Sequence, residues 1–545
     1  MSFPAGFPAK LRELVRRLNP LPDPARPLFR PTSAELAVWI LFAAVTLLAV
    51  YCHEPWRDEA QGYLIVRDNT LPGLVLHMKY ESQFLLWFLF TWPFVRLLGM
   101  PVFGVSLMHW ALSCCTAFLI LRRAPFRLLT RALLVFGVLF AFEYTVVTRH
   151  YALGVFLLAV LMANWRERFR HPVLYACGIA LCTSTSLPVW TCLGGLCLAI
   201  GYEAISRRQR TRRIFAAMLI CIFGFALALA EIFNGHGFGS PYVSLRGDQM
   251  AEFGTAQRIG TVFDSISHLV YLPVWACVAC FLAGTLYFAW KSVPALICFT
   301  TNAALMFALQ FVGGFHSMRH VGFLLVGTAL ACWIAADGDT HGFKSLQWLP
   351  RKASACLAGA AGCAAAAVLL MQAVMTPFFI GCEVKYPFSH GPAAAAFIRD
   401  NIPEDVPMYC FTARSNTSVM PGLPERKFYI FDRKEYGTFS KWGRVLEQAS
   451  MQEMANEAAA RLKPDQRYAL FVVAMNEDPN IFPGNMVLLY DSRRNERPVW
   501  GPYEEEFLVF AVVREEDRER YRPKTPQPQD REDPPRNGNH NPAEN

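Results

Sequence analysis

The sequence predicts an α-helical polytopic membrane protein with about eleven spans, one interfacial helix and a small α/β domain at its C-terminal end. Three observations carry this prediction. Of the 545 residues, 54% are hydrophobic and only 17% are charged, against roughly 25% charged in a soluble globular chain. Apolar runs close to the ~20 residues a spanning helix needs recur as far as residue 380. Beyond residue 381 the apolar runs shorten to strand length.

The elements follow in order. Residues 1–33 are basic and Pro-rich, and read as a cytoplasmic arm. No Ala-x-Ala pattern follows the first apolar run, so no cleavable signal peptide is expected. Residues 34–380 form the membrane domain. Its candidate spans are 35–52, 101–121, 130–148, 151–165, 173–187, 188–205, 213–233, 266–290, 294–312, 320–336 and 353–380. Residues 381–517 form the α/β domain. Strands are expected at Met408–Phe411, Lys427–Phe431, Tyr468–Ala474, Met486–Tyr490 and Phe507–Val513, with helices at Pro392–Asn401 and Gly443–Leu462. Residues 518–545 carry almost no apolar side chains and are expected to be disordered. Most of the sixteen cysteines lie inside apolar runs, where they act as small hydrophobes. Cys382 and Cys410 fall in the polar region, where pairing is allowed but not required.

Charge sets the orientation. Lys and Arg collect in cytoplasmic loops. Here they cluster in the N-terminal arm (Lys10 to Arg30), at Arg122–Arg131, at Arg166–Arg170, at Arg207–Arg213 and before the last span. The alternate connections carry far fewer. This places the N-terminus inside and the loop holding Asp58 outside. The stretch Phe84–Leu98 would break the alternation if it spanned. It therefore reads as an interfacial helix, anchored by Trp87, Trp92 and Arg96.

The polar segments then share the outer face: His53–Gln83, Thr148–Tyr151, Asn234–Gly260 and Phe315–His320. Asp58 and Glu59 follow the first span. An acid pair at a membrane edge is a functional candidate by default. A carboxylate there acts either as a base toward a hydroxyl or as a ligand to a divalent cation such as Mg or Mn. His53 either bonds one of these acids or caps the helix end. Arg57, Lys79, Arg149, His316, Arg319 and His320 are candidate phosphate contacts, and the arginines also suit an anionic lipid headgroup. Glu81, Tyr151 and His236 complete the candidate set, His236 in a glycine-rich loop of a kind that can close over a substrate. That loop lacks the strand and the Lys-Ser/Thr of a nucleotide-binding loop. The partners expected are membrane lipids and a lipid-borne anion, not nucleic acid.

Trp56-Arg57-Asp58-Glu59-Ala60, followed by Lys79-Tyr80-Glu81 and Leu85-Leu86-Trp87, resembles the first outer loop of GT-C membrane glycosyltransferases. These include the aminoarabinose transferases and the protein O-mannosyltransferases. The likeness extends to uncharacterised bacterial membrane proteins that carry His-Glu-Pro-Trp-x-Asp-Glu-Ala and an Arg-His-x-Gly segment like Arg319-His320-Val321-Gly322. It covers roughly residues 35–440. The resemblance implies a GT-C fold, a polyprenyl-phosphate sugar donor, and inverting transfer with or without a metal. It also implies Asp58 as the catalytic acidic residue with Glu59 beside it, and a bacterial inner-membrane setting with a periplasmic site. Where relatives carry Gly-His-Pro or Lys-Pro-Pro after the Tyr-Glu pair, this chain has Ser82-Gln83-Phe84. Two other readings stay open: a transporter or flippase of lipid-linked glycans, and a partner of the same fold without chemistry.

Overall fold

The computed structural model describes residues 19–23, 26–81, 83–209, 211–234, 254–337, 341–346, 348–411, 416–441, 450–474, 482–501 and 505–517. His236, Ser82 and the segment from 518 onward lie outside the described residues.

The first helix, α1 (Ser33–Cys52), starts at a capping box. The Thr32 side chain accepts from the Glu35 N–H, and the Glu35 carboxylate accepts from the Thr32 N–H at 2.9 Å. After an extended turn come α2 (Arg57–Asp68), α3 (Leu71–His77) and α4 (Leu85–Trp92). The last continues as a π-helical turn, Pro93–Leu97. The membrane bundle is completed by α5 (Val102–Arg123), α6 (Leu128–Val135), α7 (Tyr151–Ala163), α8 (Pro172–Thr183), α9 (Leu187–Ser206), α10 (Arg212–Asn234), α11 (Thr255–Val270), α12 (Val274–Lys291), α13 (Val293–Gly313), α14 (Met318–Ala336) and α15 (Arg351–Lys385).

Among the described residues, eight helices are long and apolar enough to cross a membrane: α1, α5, α9, α10, α12, α13, α14 and α15. The segments read as spans at 151–165 and 173–187 form the shorter apolar helices α7 and α8, and the interfacial stretch is likewise short. The chain is an integral membrane protein. Close approach of α9 and α13 depends on Gly195, where an added Cβ would lie 2.5 Å from the Cys298 carbonyl oxygen.

Two expectations are corrected. Residues 130–148 do not make one helix. The chain breaks after α6, forms a π-turn at Leu139–Glu143, and then runs irregularly to α7. The cause lies in α15. Gln372 packs against Gly137, and its Oε1 accepts from the Leu139 N–H at 3.2 Å. The freed backbone group is thus satisfied by a neighbouring helix, as the membrane interior requires. The region read as a loop up to Gly260 and a span from 266 instead contains α11, a separate helix. Ile259, Val262, Phe263, Ile266, Leu269 and Val270 recur at helical spacing. It stops at Tyr271, left-handed with φ 54°, ahead of Pro273.

The C-terminal domain holds α16 (Gly391–Asn401), α17 (Met451–Ala460) and six strands. These are β1 (Met408–Cys410), β2 (Phe428–Ile430), β3 (Glu435–Gly437), β4 (Ala469–Ala474), β5 (Met486–Asp491) and β6 (Phe507–Val512), in the order β3-β2-β1-β4-β6-β5. Strand β1 is parallel to β2 and β4, and the other pairings are antiparallel. Five strands fall where alternation and run length predict them. The short edge strand β3, with a single apolar side chain, carries no such signal. The residues preceding Ser450 in the expected second helix, 443–449, lie outside the described residues. One face of the sheet packs on α17, the other on α16. Leu64 of α2, fully buried, belongs to that second face. Helix α2 is therefore part of the core of the C-terminal domain as well as the first element after the first span. All sixteen cysteines, Cys382 and Cys410 included, are free thiols.

Candidate active site

Helix α2 presents Asp58 and Glu59 in its first turn. Adjacent residues on a helix point about 100° apart, so the two acids meet different partners. Asp58 faces Arg149 and Arg319. Its Oδ2 lies 2.5 Å from Arg149 Nη1 and 3.6 Å from Arg319 Nη2. Arg149 comes from the irregular segment before α7, and Arg319 from the start of α14. Burial acts to raise the Asp58 carboxyl, but the guanidiniums of Arg149, Arg319 and Arg57 more than reverse it and hold the group well below the carboxylate range. Asp58 is ionised at any physiological pH.

Glu59 turns the other way. It accepts from the Trp56 N–H at 3.2 Å and from the Thr148 N–H, and lies 2.8 Å from His53 Nε2. The other ring nitrogen of His53 lies 2.7 Å from Glu383 Oε1, near the end of α15. Burial opposes charge on this imidazole, yet the two carboxylates prevail and raise His53 well above its usual value. The loop after α1 and the end of α15 are thereby tied together by a buried imidazolium between two acids.

The sign of the linkage follows. A raised folded pKa contributes stability that is fully present below about 6.5, the unfolded value, and is lost as pH rises through the folded value. The difference in melting temperature between the wild type and His53→Gln is therefore expected to shrink as the buffer becomes alkaline. A difference that does not change with pH would show that the ring is neutral.

The remaining cations are nearby. The Arg319 guanidinium lies 4.9 Å from the centre of the Trp56 ring, and that of Arg57 lies 5.8 Å from it. Tyr151 and His320 are joined, Oη to Nε2, at 2.7 Å, and His320 Nδ1 lies 2.7 Å from Ser317 Oγ. His316 is half-buried three residues before Arg319. Burial, with Arg149 and Arg319 adding to it, pushes the neighbouring His150 well below the usual imidazole value, so that ring is neutral.

A narrow cleft, open to solvent, adjoins Asp58. Asp58, Glu59, Thr148 and Arg149 line its polar end, and Trp87, Thr91, Val95 and Val105 its apolar side. The apolar wall comes largely from α4 and its π-turn, the segment expected from the sequence to lie at the interface.

Two expected residues sit elsewhere. Lys79 is exposed, 4.9 Å from the centre of the Tyr80 ring, and does not line the cleft. Glu81 serves α2 from behind. It accepts from Gln61 Nε2 at 2.9 Å and lies 3.4 Å from His77, while Gln61 also bonds the Ser440 backbone. Sequence reasoning missed Glu383 and Glu505. Glu383 left a trace, as a lone acid near the end of the last apolar run. Glu505 left none.

The donor set fits a divalent cation poorly. The two carboxylates diverge, and Asp58 faces guanidiniums. Among the described residues no group of three or more His, Cys, Asp or Glu side chains is placed to hold a metal ion.

No protein-family model and no curated protein matches the chain. Solved structures do. ArnT from Cupriavidus metallidurans in the apo state superposes with a TM-score of 0.52 at 12% identity, over 88% of this chain and 99% of that one. The same protein bound to undecaprenyl phosphate gives 0.45 at 12%, over 89% and 99%. The apo likeness, with the helical bundle and the small C-terminal sheet, shows that this chain is built on the GT-C fold.

Proposed function

We propose that the chain is a membrane glycosyltransferase that moves a hexose or pentose from a polyprenyl-phosphate donor to an acceptor hydroxyl, with inversion. A fold by itself does not assign chemistry. The observation that carries the reading is the Asp58 carboxylate held between Arg149 and Arg319, beside a cleft with an apolar side formed by Trp87, Val95 and Val105. Such a site suits a substrate with an anionic head and a hydrocarbon tail.

The chemistry closes without a metal. The acceptor oxygen bonds to the anomeric carbon as the bond from that carbon to the phosphate oxygen breaks. The polyprenyl phosphate leaves with the electron pair, and the acceptor proton goes to the Asp58 carboxylate. Attack opposite the leaving group inverts the centre. The arginines pull down the basicity of Asp58 in the empty site. A donor phosphate would compete for the same guanidiniums and release that pull, so that the base gains strength once the donor is bound. Arg149 and Arg319 then stabilise the charge on the departing phosphate.

The Lys and Arg clusters at the opposite end of the bundle support a cytoplasmic N-terminus, with the site and the C-terminal domain in the periplasm of a bacterial inner membrane. Transporters place their polar sites near the midplane; here the site is at one end of the bundle.

The test is mass spectrometry of envelope glycolipids and glycans from cells with and without the gene. One sugar-bearing species is expected to lose its sugar when the gene is removed. An unchanged glycan and glycolipid profile in the deletion would sink the proposal.

A further inference from the structure

The acid that completes the site comes from the far end of the chain. Glu505 lies two residues before β6, is buried, and reaches the first turn of α2. Its Oε1 accepts from the Arg57 N–H at 2.9 Å and its Oε2 does so at 3.2 Å. Ser389 Oγ donates to Oε2 at 2.7 Å, which fixes the carboxylate from behind. At the other end of the same residue's backbone, Thr417 Oγ1 donates to the Arg57 carbonyl at 3.0 Å. The backbone immediately before Asp58 is thus held, donor and acceptor both, by the C-terminal domain.

The sequence of α2 explains the need. The residue preceding the helix is Trp56, which has no side-chain acceptor to cap it. The Trp56 N–H is taken by Glu59. The next orphan donor, that of Arg57, has no acceptor within its own segment, and a helix start left bare frays. An acid at that point is favoured by the helix dipole as well. Leu64, one face of the same helix, is buried in the core of the C-terminal domain. The domain therefore grips α2 at its start and along its length.

From this geometry we infer that Glu505 is a positioning residue: it caps the helix that carries Asp58 and sets the aspartate's place between Arg149 and Arg319. The capping stands on geometry alone, and its consequence for transfer rests on the reading proposed above. The C-terminal domain is, on this account, a structural part of the reaction centre and not an appended module.

The experiment uses the full-length chain in detergent and in cells. Hydrogen exchange is followed by mass spectrometry in wild type, Glu505→Ala, Glu505→Gln and Asp58→Asn. The same variants are returned to cells lacking the gene, and the envelope sugar is quantified. Glu505→Ala is expected to speed exchange in peptides covering 57–62 by roughly fivefold, the scale of a lost helix cap, and to lower the sugar by a similar factor. Peptides from β4 and β6 are expected to exchange as in the wild type. Glu505→Gln is expected to restore most of both effects, because its amide oxygen still accepts from Arg57 and the Ser389 hydroxyl can rotate to accept from the amide nitrogen.

Unchanged exchange at 57–62 in Glu505→Ala overturns the capping. Faster exchange in β4 and β6 as well overturns a local role, since the whole domain would have loosened. Faster exchange confined to 57–62 with a wild-type sugar level overturns the positioning role. Full sugar in Asp58→Asn overturns the catalytic reading instead, and the exchange data still decide the cap.

Discussion

Asp58→Asn is expected to abolish sugar transfer. The asparagine keeps the size of the side chain but has no charge and no usable basicity. It cannot take the acceptor proton, a contribution worth on the order of 10²–10⁴-fold in rate. It also leaves Arg149 and Arg319 without the anion that orients them in the empty site. The Asp58 side chain is 24% exposed. Solvent therefore offsets part of the lost pairing, and the variant is expected to remain folded. The measurement is the envelope sugar in cells carrying only this variant, alongside the elution profile of the purified protein. A monodisperse variant with normal sugar would show that Asp58 is not the base.

The largest effect on stability is expected at the other end of the bundle. Glu35, buried at the start of α1, sits between two buried arginines: Arg122 Nη1 lies 2.8 Å from Oε2, and Arg131 Nη1 2.9 Å from Oε1. These guanidiniums reach further, to the carbonyls of Leu28, Pro27 and Pro20, at 3.0, 2.9 and 3.1 Å. Glu35→Ala removes the only carboxylate in this cluster among the described residues and leaves two buried cations facing each other. Breaking a buried pair in this way destabilises by about 3–5 kcal/mol. A markedly lower melting temperature and poor recovery from the membrane are expected. Melting within a degree or two of wild type would show that water already solvates the cluster.

The parts of this protein that could be read from the sequence are those with a local physical signature. Long apolar runs announced α1, α5, α9, α13 and α15, because hydrocarbon accepts little else. Run length and alternation announced β1, β2, β4, β5 and β6. Asp58 and Glu59 stood out because acids at a membrane edge are expensive to leave idle. The break after α6 was hidden, since Gln372, which satisfies the freed Leu139 N–H, lies far along the chain. The partners that set Asp58 apart from Glu59, Arg149 and Arg319 on one and Thr148 on the other, were hidden for the same reason.

By itself, the sequence determined the class of the protein, the positions of most elements and the loop that carries the acids, since each depends on composition or short-range periodicity. Only the tertiary structure decided how the site is assembled. Arg149, Arg319 and Glu505 reach α2, and Glu383 reaches His53 just before it, from four separate segments. Their pairing energy depends on distance and burial, and neither quantity exists until the helices pack.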